Sequence, residues 1–206
     1  SDNTVQSVKM EYPQVKLIAS KNNNGFAKGN NIAAETATGE YLLLLNPDTI
    51  VLDGAIEKLL KFARRNPDSG IYGGRTIFPD GSLNRSCYSK MTLWSLICSI
   101  IGFTKIFSFS TFFNPIPYGS WKYNTTRYVD IISGCFLMIK KEIWEKLEGF
   151  NPLFFMYAEE VDLCLRAKKI GYTPQFYPKA EIVHYRGASE TNRADKIIKI
   201  YKGELT

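Results

Sequence analysis

The chain has 206 residues, of which 45% are hydrophobic and 22% are charged. This composition is ordinary for a globular domain and argues against global disorder. The formal net charge of +6 suits anionic partners such as phosphorylated substrates or an anionic membrane surface, with a basic solvated surface as the alternative. No run of Lys and Arg is dense enough for a nucleic-acid arm, so no nucleic-acid partner is predicted.

The spacing of the cysteines indicates in which cellular compartment the protein is expected. The four cysteines form no C-x-x-C pair, which argues against a structural zinc site or a disulfide scaffold. We therefore expect reduced thiols in a cytoplasmic protein without a signal peptide.

The most apolar stretch, residues 91–113, is interrupted by Gly102, Lys105 and several serines. It is not expected to span a bilayer but can lie peripherally against the inner face of the cell membrane.

The first half of the chain alternates between strand and helix patterns. Residues 15–19 are typical of a short buried strand, and the Asn- and Gly-rich residues 22–29 predict a loop before a helix over 30–38. The continuous apolar run 40–46 is typical of a central parallel strand covered on both faces. Helical periodicity over 53–66 predicts an amphipathic helix. This alternation predicts an α/β fold with a mostly parallel sheet flanked by helices.

The second half begins with a strand at 70–78 and then loses its regular pattern. Residues 85–127 are irregular and rich in aromatic side chains, which indicates an insertion or lid. Regular patterns then return. Strands are expected at 129–140, 173–177 and 180–184, and helices at 141–147 and 159–170.

Two side chains are candidate metal ligands. Asp48 lies beyond the carboxyl end of the strand at 40–46, where α/β sheets bind ligands. A carboxylate there can hold Mg²⁺ or Mn²⁺, although a turn aspartate that caps the next helix fits the pattern as well. His184, the one histidine of the sequence, ends a later apolar strand. An imidazole with a carboxylate suits a transition-type ion, but a lone histidine is also common as a structural residue.

An acidic triplet opens the helix predicted at 159–170. Glu159, Glu160 and Asp162 lie so close that their repulsion should raise the pKa of one carboxyl group. Such a group suits a general base that acts on a hydroxyl. The alternative is a set of acidic residues that complements the helix dipole. Glu159 and Asp162 share a helix face while Glu160 points elsewhere, so at least one of the three should be structural.

The segment Asn24–Asn31 combines glycines with asparagine side chains ahead of a helix. Glycines permit close backbone approach, and helix N–H groups can bind phosphate or ribose oxygens. The G-K-[ST] element of a Walker loop is missing. Asn24, Gly25 and Asn31 are therefore candidate nucleotide-binding residues, with a plain loop-to-helix connection as the alternative.

Five stretches, in this order along the chain, resemble the family-2 inverting glycosyltransferases with the GT-A fold. They are N-x-G-F-A-x-G-N-N at 23–31, G-E-Y-L-L-L-L-N-P-D at 39–48, S-G-C-F-L-M-I-K-K at 133–141, G-F-N-P-L-F-F-M-Y-A-E-E-V-D-L-C-L-R at 149–166, and H-Y-R-G-A-S at 184–189. The chain is most similar to the bacterial rhamnosyltransferase-like group. Together the stretches are specific for the family but not for the sugar.

The resemblance implies roles around a divalent metal ion, Mg²⁺ or Mn²⁺. Asp48 corresponds to the metal-binding acid of a D-x-D-type motif whose first acid is Asn46 here. His184 matches a histidine that completes the metal site. Glu160 stands where the family usually has the Asp of its Glu-Asp base motif, so Glu159 and Asp162 remain candidates for the base. Gly134 and Tyr157 are expected on the acceptor side.

The resemblance also implies donor contacts and a reaction. Asp2 is expected to contact the nucleotide base, and Arg186 and Ser189 the donor phosphates. The implied activity is transfer of a sugar from a nucleotide-diphosphate sugar to a hydroxyl of a glycan or lipid-linked acceptor, with inversion, in surface polysaccharide synthesis. A sugar-phosphate nucleotidyltransferase is less suited because no basic Gly-rich loop opens the chain.

The resemblance further implies an N-terminally truncated GT-A-like domain that lacks the first strand. A degenerate, non-catalytic domain that binds a glycan or a partner is therefore the alternative. The chain is expected to form a single domain. Its predicted parts are a donor nucleotide half at 1–80, the insertion or lid at 85–127, an acceptor and catalytic half at 128–190, and a C-terminal tail at 191–206.

Overall fold

The computed structural model describes residues 3–185. The helices are α1 (Thr4–Glu11), α2 (Gly25–Glu35), α3 (Ala55–Arg65), α4 (Leu93–Ile100), α5 (Phe103–Ile106), α6 (Lys141–Lys146) and α7 (Glu159–Lys169), with a 3-10 turn at Pro67–Ser69. The strands are β1 (Tyr41–Leu45), β2 (Thr49–Val51), β3 (Ile71–Ile77), β4 (Leu83–Asn84), β5 (Cys87–Tyr88), β6 (Arg127–Tyr128), β7 (Ile131–Ile132), β8 (Phe136–Lys140) and β9 (Gln175–His184).

A central sheet in the order β1-β8-β3-β9-β2 organises the molecule, with β4 paired to β3, β6 paired to β9 and a separate β5–β7 ladder. The α/β class with flanking helices is confirmed. Among the described pairs β3–β9 is parallel and the others are antiparallel, so the sheet is more mixed than the alternation suggested. Alternation predicts crossovers, but it does not say which strands become neighbours. Here β8, from the second half of the chain, lies between β1 and β3.

Strand β1 occupies an edge of the described sheet, where it pairs with β8 alone. The prediction of a central parallel strand is therefore wrong for β1, although its side chains do pack into the layers on both faces of the sheet. Leu42 and Leu44 are buried, whereas Leu45 is exposed. The strand predicted at 15–19 is also not formed; the segment has no ladder partner and exposes Val15 and Ile18. An apolar run becomes a strand only where a neighbour accepts its backbone hydrogen bonds.

Helices cover both faces of the sheet. On one face α3 packs through Ala55, Leu59 and Ala63, which recur every four residues and are fully buried. On the other face α2, α6 and α7 pack against inward-facing residues of β1, β3 and β8. The side chains of β8 alternate between these two layers, so the strand is buried on both sides.

The last strand continues through a bulge. The sequence predicts two strands at 173–177 and 180–184, but β9 is one strand whose register against β3 shifts between Gly74 and Arg75. The shift falls opposite Pro178, which has no N–H to donate to the ladder. The strand therefore reaches His184 and pairs there with β2.

The segment predicted to be an insertion or lid contains a helical hairpin formed by α4 and α5. The Thr92 and Ser95 side chains form a capping box at the start of α4. The base of the insertion is tied to the core by Asp130, which accepts hydrogen bonds from the Ser89 hydroxyl and the Lys90 backbone N–H, each at 2.9 Å. Among residues 3–185, no helix is long and apolar enough to cross a membrane.

Arg166 fixes helix α7 to the end of α6. Its guanidinium donates to the Asp162 carboxylate at 2.7 Å and to the backbone carbonyls of Leu147 and Gly149. The side chains of Arg166 and Asp162 are 27% and 25% exposed, so solvent screens the pair only in part. This contact sets the position of the acidic residues that open α7.

Replacement of Arg166 by Met should destabilise the protein by about 2–4 kcal/mol, because it leaves a half-buried carboxylate and two carbonyls without their donor. Urea denaturation measures the change in unfolding free energy. The matched control is Arg64→Met, since the Arg64–Glu40 pair is 61% and 55% exposed and should contribute less than about 1 kcal/mol. Equal losses in the two variants would contradict a specific role for Arg166.

Candidate active site

The ends of β1 and β9 bring Asn46, Asp48 and His184 together. Antiparallel pairing of β2 with β9 sets Thr49 opposite His184, and the Tyr185 N–H donates to the Asp48 carbonyl at 3.0 Å. As a result the Asp48 Oδ1 and His184 Nε2 atoms are 3.3 Å apart. The Asn46 Nδ2 atom also lies 3.3 Å from His184 Nε2.

This cluster is suited to a divalent cation. The side chains of His184 and Asp48 are only 8% and 19% exposed, and their facing atoms are close enough to contact one small ion. Among residues 3–185, no group of three or more His, Cys, Asp or Glu side chains could enclose a metal ion. Mg²⁺ commonly binds through one or two carboxylates while substrate phosphates and water complete its shell. The donor set therefore fits an ion that is shared with a phosphate-bearing ligand.

The three acids of α7 have different surroundings. Glu159 is 3% exposed, and its Oε2 atom has no hydrogen-bond partner among the described residues. Glu160 is half-buried and accepts a hydrogen bond from the Gly134 backbone N–H. Asp162 forms the ion pair with Arg166. The triplet is thus one buried acid, one acid at an open rim and one acid in a structural contact.

Burial raises the pKa of both glutamates. For Glu159, burial and then the charge of Glu160 raise the pKa to about 8, so the carboxyl is mainly protonated at neutral pH. For Glu160, burial raises the pKa, while the Gly134 N–H opposes the shift. Burial followed by the charge of Glu160 also raises the pKa of Tyr88, which indicates that this phenol lies near the carboxylate.

A strained backbone precedes the acidic residues. Tyr157 and Ala158 have φ values of +73° and +70°, a left-handed conformation that costs non-glycine residues about 1–3 kcal/mol each. The backbone carbonyl of Phe155, two residues before Tyr157, accepts a hydrogen bond from the Phe26 N–H at 2.8 Å. A Cβ atom on Gly25 would stand 2.1 Å from that carbonyl oxygen, so only glycine permits this approach. The start of α2 therefore rests against the segment that presents Glu160.

The candidate nucleotide-binding residues belong to this docked segment. Helix α2 begins at Gly25, so residues 25–29 form helical turns rather than the predicted loop. The Asn31 side chain bonds the Phe150 carbonyl and N–H at 2.8 and 2.9 Å, which engages both ends of its amide. The Asn24 side chain donates to the Ser20 hydroxyl at 2.8 Å. These contacts order the segment, and their role in donor binding stays a prediction.

The turn at 133–135 connects the cluster of Asn46, Asp48 and His184 with Glu160. The Asn46 N–H donates to the Cys135 carbonyl at 3.1 Å, while the Gly134 N–H donates to the Glu160 carboxylate. Gly134 also lies under the Phe26 ring, which a Cβ atom would approach to 3.0 Å. Asp48, His184 and Glu160 therefore lie at one rim of the sheet. Asp2, Arg186 and Ser189 lie outside the described residues, and their contacts stay predictions.

A pocket of about 510 Å³ lies between the α4–α5 hairpin and the core. The residues that line it include Arg85, Ser95, Ser99 and Asn114. Tyr88 lines the same pocket, and the charge of Glu160 contributes to the raised pKa of its phenol, so Tyr88 relates the pocket to the carboxylate. Sequence reasoning missed Tyr88 because one tyrosine in an irregular, aromatic-rich segment carries no pattern. It also missed the left-handed residues before α7, which no glycine marks.

Known proteins similar to this chain include transferases. The family model for glycosyl transferase family 2 matches residues 1–147. The chain is 28% identical over 212 residues to N-acetylglucosaminyl-diphospho-decaprenol L-rhamnosyltransferase of Mycobacterium tuberculosis strain H37Rv, which covers 92% of this chain and 64% of that protein. It is 28% identical over 183 residues to rhamnosyltransferase WbbL of Escherichia coli K12, and this match covers 82% of this chain and 63% of that protein. The chain thus spans slightly less than two thirds of these relatives.

Solved structures share the fold. A crystal structure of GalNAc-T7 with UDP, GalNAc and Mn²⁺ superposes with a TM-score of 0.65 at 14% identity, covering 93% of this chain and 36% of that one. The mannosyltransferase PcManGT from Pyrobaculum calidifontis, in complex with GDP-Man and Mn²⁺, superposes with a TM-score of 0.58 at 16% identity. The match covers 92% of this chain and 46% of that one. The α/β architecture is thus that of these sugar transferases, and the family model extends over most of the sequence. The chain belongs to glycosyl transferase family 2.

Proposed function

We propose that this chain carries the catalytic residues of an inverting, metal-dependent sugar transferase. The donor is a nucleotide-diphosphate sugar, and the acceptor is a hydroxyl of a glycan or lipid-linked glycan in surface polysaccharide synthesis. The observation that carries the proposal is the shared rim, where the Asp48–His184 pair and Glu160 are joined through the turn at 133–135. The rhamnosyltransferases among its relatives support rhamnosyl or hexosyl transfer.

Asp48 and His184, with the Asn46 amide beside them, would hold Mg²⁺ or Mn²⁺ at this rim. Such an ion neutralises the negative charge that develops on a departing nucleoside diphosphate. The two sugar transferases that share the fold are described with Mn²⁺ and a nucleotide, which supports the assignment. The scarcity of protein ligands agrees with an ion that donor phosphate oxygens complete.

Glu160 is the proposed general base. In a single displacement the acceptor oxygen attacks the anomeric carbon, the bond from that carbon to the diphosphate oxygen breaks, and the carboxylate takes the hydroxyl proton. Glu160 is half-buried, and burial raises the pKa of its carboxyl, which favours proton uptake. Glu159 is mainly protonated at neutral pH, and Asp162 is held by Arg166, so neither is as well placed.

The pocket beside Tyr88 is the proposed acceptor site. The Ser99 hydroxyl and the Asn114 amide can exchange hydrogen bonds with sugar hydroxyls, and the Arg85 guanidinium can pair with a phosphate of a lipid-linked acceptor. Gly134 and Tyr157 flank Glu160 on the acceptor side, as the family resemblance implies. A bound acceptor would therefore extend from the carboxylate into this pocket at the base of the hairpin.

Replacement of Asp48 by Asn should abolish metal-dependent stabilisation by nucleoside diphosphates. The variant removes one charge from the ion site without a change in side-chain size. Thermal melting with UDP, GDP or dTDP, with and without Mn²⁺, measures the effect. Asp68→Asn is the matched control because Asp68 is exposed in a turn away from the site. Full stabilisation of the Asp48 variant would exclude the metal role, and none in the unmodified protein would favour a non-catalytic module.

Replacement of Glu160 by Gln should lower turnover by about 10²–10⁴-fold while nucleotide affinity is retained, because only proton transfer is lost. Glu159→Gln should retain most activity, since its carboxyl is already mainly protonated near pH 7. Turnover is measured with the donor that a nucleotide-sugar panel selects. An active Glu160 variant together with a dead but stably folded Asp162→Asn variant would assign the base to Asp162.

Burial of Glu159 should make stability dependent on pH. Its pKa rises from 4.5 to about 8 on folding, so its favourable contribution is complete below about pH 4.5 and is lost as the pH rises through 8. The loss amounts to at most about 5 kcal/mol. Unfolding free energies between pH 4.5 and 9 should fall less steeply for Glu159→Gln than for the unmodified protein. If the unfolding free energies of the variant and the unmodified protein fell equally with pH, Glu159 would not be the origin of the pH dependence.

A further inference from the structure

Helix α4 turns its apolar side chains outward. Its buried residues are Ser95 and Cys98, whereas Leu93 and Ile100 are each 74% exposed. A helix at a water-facing surface shows the reverse pattern, with apolar residues toward the core. The exposed large apolar side chains of this hairpin are Met91, Leu93, Trp94, Leu96, Ile97, Ile100, Ile101, Ile106, Phe107, Phe109 and Phe112.

The hairpin and the segments that flank it carry most of the net positive charge of the chain. Residues 81–129 contain five Lys and Arg and no Asp or Glu, a net charge of +5 within a chain total of +6. Arg85, Lys90, Lys105 and Lys122 are exposed. The surface is therefore both apolar and cationic, which is the combination that binds the interface of an anionic bilayer.

Internal contacts hold the hairpin in shape. The Trp94 indole N–H donates to the Phe112 carbonyl at 2.8 Å, and the ring centroids of Phe107 and Phe113 are 4.7 Å apart. Together with the Thr92–Ser95 capping box, these contacts fix the start of α4 and the return of the chain after α5. The exposed apolar side chains are thus a preorganised surface.

We propose that the α4–α5 hairpin, residues 91–113, inserts its apolar face into the headgroup region of an anionic lipid bilayer. Eight residues give α4 a length of about 12 Å, which suits a helix that lies in the interface. A second copy of the chain is a poorer occupant, because the exposed cations of two copies would face each other. The inference goes beyond sugar transfer, since lipid binding requires no catalytic step.

Vesicle sedimentation tests the apolar contribution, with vesicles of phosphatidylcholine with and without phosphatidylglycerol. The full chain should bind the anionic vesicles. The triple variant Leu93→Gln, Ile100→Gln, Phe109→Gln should bind about 100-fold more weakly, because it removes three inserted side chains. The matched control is Met10→Gln with Leu153→Gln, two residues that are each 70% exposed away from the hairpin.

Charge reversal tests the electrostatic contribution. Lys105→Glu should weaken binding to anionic vesicles by about tenfold at low salt and much less in high salt. Lys61→Glu, the same change at an exposed position of α3, should leave binding near that of the unmodified protein. Thermal melting confirms that each variant is folded, which is expected because every altered side chain is exposed.

Three results would overturn the proposal. The first is that the unmodified protein does not bind anionic vesicles, and the second is that the triple variant binds them as tightly as the unmodified protein does. The third is a dimer in sedimentation velocity that the triple variant abolishes, which would assign the hairpin surface to a second copy. None of these measurements involves turnover, so an inactive chain would leave the test valid and a failure here would leave the sugar-transfer proposal standing.

Discussion

The backbone turn at residues 133–135 is the interaction on which the candidate site depends. Its Cys135 carbonyl accepts the N–H of Asn46 at the end of β1, and its Gly134 N–H donates to the Glu160 carboxylate at the start of α7. Substitutions other than proline leave these backbone groups in place, so the link tolerates most changes of side chain, with one exception. Position 134 lies so close to the Phe26 ring that any side chain would displace it.

The acids of α7 illustrate how burial assigns different chemistry to neighbouring groups of one type. The Glu159 Oε2 atom is buried without a hydrogen-bond partner among the described residues and its carboxyl holds its proton near neutral pH, whereas Asp162 forms a structural contact with Arg166. Glu160 stands between these extremes at an open rim. The left-handed backbone at Tyr157 and Ala158 turns the helix start toward the rim, which agrees with the storage of strain at functional sites.

The two faces of the α4–α5 hairpin differ in chemistry. Its outer face is apolar and cationic, while Ser95 and Ser99 on its inner side line the pocket beside Tyr88. One small element therefore provides both the proposed lipid contact and part of the proposed acceptor site. An acceptor with a lipid tail and a sugar-phosphate head would meet matching chemistry on the two faces.

The sequence by itself determined the α/β class and most of the helices, because hydrophobic periodicity is a local property. It also determined the order of the motifs, which paired an aspartate at the end of one strand with a histidine at the end of another. Only the tertiary structure decided that β8 lies between β1 and β3, that residues 15–19 form no strand, and that 25–29 are helical. Strand neighbours and docking contacts such as Gly25 against Phe155 depend on segments far apart in the chain. The same holds for the three acids, whose roles depend on burial and on partners such as Gly134 and Arg166 that no spacing rule within α7 reveals.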